Sequence, residues 1–188
     1  ELEALQKFLF DQKSSLLDVE IDANLTNLDI FEVLINKLKL RKLIINKELA
    51  FSESDWRAAF VNKFKENETI EKLKIKLKIT DDGTYKLIKD VLSTLKVVKE
   101  LDVTIPIVYE LEWLGSMPLL KRLIIRNSAL ILNTKEIPEN LIFEQIEELE
   151  IHQLPTVKKH LLFLITSCPN VRKLTIKGGL KEGETLWH

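Results

Sequence analysis

Seven short segments of this chain carry apolar residues in one order: apolar, two unconstrained positions, apolar, one unconstrained position, apolar. They are LLDVEI (16–21), LRKLII (40–45), IEKLKI (70–75), VKELDV (98–103), LKRLII (120–125), IEELEI (146–151) and VRKLTI (171–176). Their central residues, Val19, Leu43, Leu73, Leu101, Leu123, Leu149 and Leu174, are separated by 24, 30, 28, 22, 26 and 25 residues. One such hexapeptide fits any half-buried strand, whereas seven at this interval mark a repeat with a period below that of the two-helix repeat classes. Side chains alternate between the two faces of a strand. In KLKIKLKIT (72–80), therefore, Leu73, Ile75, Leu77 and Ile79 point to the core, and Lys72, Lys74, Lys76 and Lys78 point away from it.

Most intervening segments carry helical signals. DIFEVLINKLK (29–39) opens on Asp29, has Glu32 three residues on in the manner of a capping box, and lines up Ile30, Val33, Leu34 and Leu38. SESDWRAAFVNKF (52–64), DDGTYKLIKDVLSTL (81–95) and TVKKHLLFLITSCP (156–169) likewise open on Ser, Asp or Thr and carry an apolar stripe. ELEALQKFLFDQ (1–12) reads as an amphipathic helix, while NSALILNTKEIPENLIF (127–143) contains Pro138, lacks a helical period and reads as a 3₁₀ or extended crossover. Strand, crossover and strand at this interval predict an α/β fold with seven parallel strands and right-handed crossovers, in one domain spanning residues 1–188. Stacking predicts a solenoid with the strands on its concave face and the helices on its convex face.

The repeat resembles a leucine-rich repeat domain of the kind found in F-box proteins. ITSCPNVRKLTI (165–176) is similar to that family's helix-end, Cys-Pro-Asn, strand module, and SMPLLKRLII (116–125) echoes it. The repeats are irregular: of the positions where the asparagine ladder of such domains would run, only Asn24 carries the residue. No F-box lies within the chain, and its first residue, Glu1, reads as the start of a fragment. The resemblance implies a protein-interaction domain, the substrate-recognition part of an F-box-type ubiquitin ligase adaptor.

One register applied to every strand gives three rows across the outward face. The first is Asp18, Lys42, Lys72, Glu100, Arg122, Glu148, Lys173, in which five of six neighbouring pairs have opposite signs. The second is Glu20, Ile44, Lys74, Asp102, Ile124, Glu150, Thr175, and the third is Asp22, Asn46, Lys76, Thr104, Arg126, His152, Lys177. Strands ~4.8 Å apart let opposite charges pair, so the basic stripe reads mostly as one rung of a mixed ladder. Two features stand out from that ladder. Lys74, Lys76 and Lys78 exceed what Asp102 and Thr104 can neutralise, and Ile44 and Ile124 are apolar at outward places, where they read as solvent-facing anchors for a partner side chain. With Asp102, Arg126, Glu150 and His152 they form the candidate protein-binding face, the loops at the strand ends being the other possible contact surface.

A hydrophobic share of 45% and 28 basic against 29 acidic residues describe an ordinary globular domain with a net charge of −1. A nucleic-acid binder shows a basic surplus and aromatics interleaved with its lysines, whereas this chain has a near-zero net charge and its Lys72–Lys78 stripe has no interleaved aromatics. A nucleic-acid-associated leucine-rich repeat scaffold using that stripe is thus the second reading. Cys168 is the only cysteine, which excludes an intrachain disulfide, fits a cytoplasmic or nuclear protein, and leaves the triplets at Asn24 and Asn67 as chance glycosylation matches. Cys168 itself reads as a packed thiol. No apolar run is long enough to span a membrane. His152, His160 and His188 are scattered without metal-ligand spacing, and Gly178-Gly179 reads as a turn. Trp56, Trp113 and Trp187 read as packing residues. The sequence therefore predicts a binding protein without metal or cofactor, and no enzyme.

Overall fold

A computed structural model describes residues 2–12, 15–23, 28–49, 67–77, 89–90, 92–104, 111–126, 141–152 and 158–178. The predicted helices over 52–64 and most of 81–95 lie outside these residues, as do Lys78, Asn24, His188, Trp56, Trp187 and most of the Pro138 crossover. Seven strands, β1 (Asp18–Ile21), β2 (Lys42–Leu49), β3 (Lys72–Leu77), β4 (Glu100–Thr104), β5 (Arg122–Arg126), β6 (Glu148–His152) and β7 (Lys173–Lys177), form one parallel sheet in sequence order. All seven fall on the repeated hexapeptides. Among the described helices are α1 (Leu2–Asp11), α2 (Leu28–Glu32) and α3 (Lys158–Thr166).

The apolar order works as expected because each of its three places faces the core. In the five inner repeats the first place (Leu40, Ile70, Val98, Leu120, Ile146) is fully buried, and the second and third, from Leu43 and Ile45 to Leu149 and Ile151, are at most 3% exposed. Burying each such side chain contributes ~1.5–3 kcal/mol. At the outer strands the same places open: Val19, Ile21 and Ile176 are half-buried, and Leu174 is 43% exposed. The core they build is continuous with Ile30, Phe31, Leu34 and Ile35 below β2 and with Leu161 and Leu164 of α3.

A backbone ladder fixes the register at the strand entrances. The carbonyls of Leu17, Arg41, Glu71, Lys99, Lys121 and Glu147 each accept the N–H groups of two successive residues entering the next strand, at 2.7–3.3 Å. Asn67 adds a local clamp. Its amide Nδ2 donates to the Ile35 carbonyl (2.5 Å), its Oδ1 accepts from the backbone N–H groups of Thr69 and Ile70, and its own N–H donates to Thr94. Buried and bonded at both ends of the amide, Asn67 joins two crossovers in the folded chain.

Three details go beyond the predicted pattern. The helix over 29–39 divides into α2 and a π-helical turn (Val33–Lys37), closed by the Leu38 N–H on the Val33 carbonyl. The wider turn brings Phe31 and Ile35 into the core beside Ile30, Leu34 and Leu38, while Val33 is only half-buried. The crossover from β4 to β5 belongs to the shortest repeat interval, and its described part is a 3₁₀ helix, Glu112–Ser116, with Trp113 packed beneath it at 3% exposure. Finally, β2 and β3 lose step: Ile44 pairs with Lys74 but Glu48 pairs with Lys76, so four steps along β2 match two along β3. The predicted pairing of Asn46 with Lys76 is therefore absent. β7 ends as predicted at a turn, Gly178 having a φ of 109°, open to glycine at little cost.

Candidate binding face of the sheet

The outward rows pair as the register requires, apart from the slip between β2 and β3. Along the first row, Lys72 meets Glu100 at 2.8 Å, Glu100 meets Arg122 at 3.3 Å, Arg122 meets Glu148 at 3.5 Å, and Glu148 meets Lys173 at 3.7 Å. Exposed pairs of this kind contribute ~0.2–1 kcal/mol each, so they tune the sheet without holding it together.

Diagonal contacts between rows make the stronger arrangement. Arg126 donates from Nε and one terminal nitrogen to the two oxygens of Asp102, at 2.6 and 2.8 Å. Its other terminal nitrogen lies 3.1 Å from His152 Nδ1, while His152 Nε2 lies 2.6 Å from Glu150. Because a guanidinium can only donate, the ring accepts at Nδ1 and donates from Nε2, the tautomer that satisfies both neighbours. Glu150 also accepts from Lys177 Nζ and from Arg122 at 3.1 Å. The Lys177 hydrogen bond, helped by those of His152 and Arg122, outweighs desolvation and holds the Glu150 carboxyl down at about 2. Asp102 in turn raises the Arg126 pKa, chiefly through their hydrogen bonds. Asp102 and Glu150 are buried at 7% and 9% exposure, and such carboxylates are tolerated because every one of these donors is aimed at them.

This network changes the reading of Ile124. Instead of facing solvent it is 5% exposed. Its strand neighbours two residues away are Arg122 and Arg126, and its neighbours on adjoining strands are Asp102 and Glu150. The Arg122–Glu150 and Arg126–Asp102 diagonals link the members of this ring. Ile44, in the equivalent place on β2, is only half-buried.

Over β2 and β3 the face is organised differently. Asp102 stands opposite Lys74 in the register, yet its oxygens are taken by Arg126. Lys74 Nζ donates instead to Asn46 Oδ1 at 2.7 Å, and Asn46 Nδ2 donates to Glu20 at 2.7 Å. Between these strands and the rim of β5 lies a cleft of about 150 Å³ lined by Ile45, Asn46, Lys74, Ile75, Lys76, Asp102, Thr104 and Arg126. Of the residues expected at the binding face, the structure gathers Lys74, Lys76, Asp102 and Arg126 at this cleft and Glu150 and His152 in the adjoining network. Asn46 and Thr104 were not expected as site residues. The signal for Asn46 was the break in alternation at NKEL (46–49), where the β2 register slips.

Cys168 is buried at 3% exposure, and desolvation pushes its thiol up to about 12, so it stays protonated at neutral pH and packs as an apolar group. Next to it, Asn170 donates to the Glu144 carbonyl of the preceding crossover at 2.8 Å. Among the described residues no group of three or more His, Cys, Asp or Glu side chains is placed to hold a metal, and no helix is long and apolar enough to cross a membrane. Comparison with protein-family models, curated proteins and solved structures finds no match to this chain.

Proposed function

We propose that the chain is a protein-binding solenoid of the leucine-rich repeat type that presents its charged sheet face to a partner protein. The observation carrying this reading is the unbroken seven-strand parallel sheet, in which inward places repeat and outward places vary from strand to strand. Conserving the inward residue type while varying the outward one is how a repeat array separates stability from recognition. The Cys168-Pro169-Asn170 module supports the closer resemblance: its cysteine packs inward and its asparagine ties the turn to the previous crossover. On that basis the proposed role is substrate recognition in an F-box-type ubiquitin ligase adaptor, a non-enzymatic and intracellular one.

The test uses the longest natural protein containing this chain, purified with its associated proteins. Recovery of a cullin-type ligase core together with a substrate is the expected result. The double reversal Lys72→Glu and Lys173→Glu on the sheet face should release the substrate and keep the core, while Lys37→Glu on the π-helical turn should release neither. Absence of a ligase core removes the adaptor role. Recovery of RNA that elutes steeply with salt would favour the nucleic-acid scaffold instead.

A further inference from the structure

The cleft between β2, β3 and β4 carries an assignment more specific than a binding face. Its volume is about 150 Å³. That is well below the ~300 Å³ at which sites for cofactors and small-molecule ligands begin. One side chain fits it.

Charge selects which one. Lys74 and Arg126 line the cleft together with the acid Asp102. Arg126 is engaged in a bidentate pair with Asp102, so its fork is unavailable to a second anion. Lys74 differs: its hydrogen bond goes to a neutral amide oxygen, and no carboxylate lies within ion-pairing distance of it among the described residues. A cation resting on a neutral acceptor can exchange that contact for an anion with a net gain, which a cation already paired cannot do. The Thr104 side chain completes the wall and brings a hydroxyl donor. A phosphate dianion is the poorer match, because Asp102 would repel it and the guanidinium that would grip it bidentately is occupied.

We propose that this cleft receives the carboxylate of a glutamate or aspartate side chain from the partner protein, with Lys74 as its counter-ion. Asn46 lies within the register slip between Ile44 and Glu48, and its neutral amide oxygen is the acceptor that Lys74 meets there. The inference rests on reading the sheet face as a protein-binding surface.

The experiment titrates the ¹⁵N-labelled full chain with acetyl-Gly-Glu-Gly-amide, with its glutamine counterpart and with inorganic phosphate. The glutamyl peptide should shift the amide resonances of Asn46, Lys74 and Thr104, and the glutamine peptide should not. Lys74→Gln should weaken the glutamyl peptide about tenfold, whereas Lys37→Gln on the π-helical turn should leave its affinity unchanged. Asn46→Asp supplies an internal carboxylate to Lys74 and should abolish binding, giving a second arm if Lys74→Gln fails to fold. Equal response to both peptides, or unchanged affinity in Lys74→Gln and Asn46→Asp, overturns the proposal. Tighter binding of phosphate at the same residues also overturns it, making the cleft a phosphate pocket. A natural partner that is lost on the Lys72/Lys173 reversal but indifferent to Lys74→Gln would sink the cleft assignment alone. Glutamyl peptide binding in a protein whose partners ignore the sheet face would keep the cleft and sink the broader function.

Discussion

Ile44 and Ile124 hold the same outward place on β2 and β5, yet one is half-buried beside an open cleft and the other is sealed at 5% exposure. The difference lies in the cations around them. Beside Ile124 stand Arg122 and Arg126, whose planar forks reach two or more partners each and bind diagonally across rows. Beside Ile44 stand Lys42 and, on the next strand, Lys74, which are compact point charges on flexible stems. Arginine here closes a surface over an apolar residue, and lysine leaves it open. A row of charges is thus not one kind of surface: the same alternation yields a self-satisfied region over β4 to β6 and a receptive one over β2 and β3.

The largest effect tests what the two regions share. Leu73→Glu and Leu123→Glu each bury an unpaired charge beneath one region, and each should cost ~4 kcal/mol or more and abolish the cooperative melt followed by circular dichroism. If only one of them unfolds the chain, the core is not continuous under both regions. The next effect separates them. Arg126→Ala leaves buried Asp102 without its donors and uncovers Ile124, and should lower stability by about 2–3 kcal/mol in urea unfolding. Lys74→Ala removes one contact to a neutral amide and should change stability by less than ~0.5 kcal/mol. Comparable losses would show that the open region is as tightly coupled as the closed one.

A pH dependence also marks the closed region, to which Glu150 belongs. The Glu150 carboxyl titrates at about 2 in the folded chain, and in the unfolded chain near ~4.3. The unfolded state therefore takes up the proton first as pH falls. The stability from this group is complete above ~4.3 and is lost as pH drops through about 2. Thermal melts in that window should fall less steeply for Glu150→Gln than for the unaltered chain.

The strands and their register were legible because two periods coincide there: alternation within a strand, and recurrence of the hexapeptide every 22 to 30 residues. A misplaced strand would have turned Leu43, Leu73 and Leu101 outward together, so the pattern determines its own phase. The row pairs followed from that phase, and the first row closes into ion pairs from β3 to β7. The diagonals were not legible, because register tells which residues are opposite and says nothing of how far a guanidinium reaches. Ile124 was read as exposed for this reason. The slip after Ile44 was hidden for another: Asn46 and Lys47 interrupt the alternation without the glycine or proline that usually marks a break. Asn67 stood in a glycosylation triplet, and its clamp on Ile35, Thr69 and Ile70 depends on a crossover 32 residues away in sequence.

Because strand order equals sequence order, the two ends of the sheet lie on opposite edges, and every inner strand is bonded only to the strands before and after it. Under mechanical load applied through those ends, the chain has no pair of strands that must be sheared along their whole length at once. The edge strands, where Val19, Ile21 and Leu174 are least buried, peel first. The extension record should then be a staircase in which each step frees the 22 to 30 residues between successive repeats, roughly 70–110 Å of contour. The heights of the steps would read out, strand by strand, where the arginine diagonals hold and where the lysines do not.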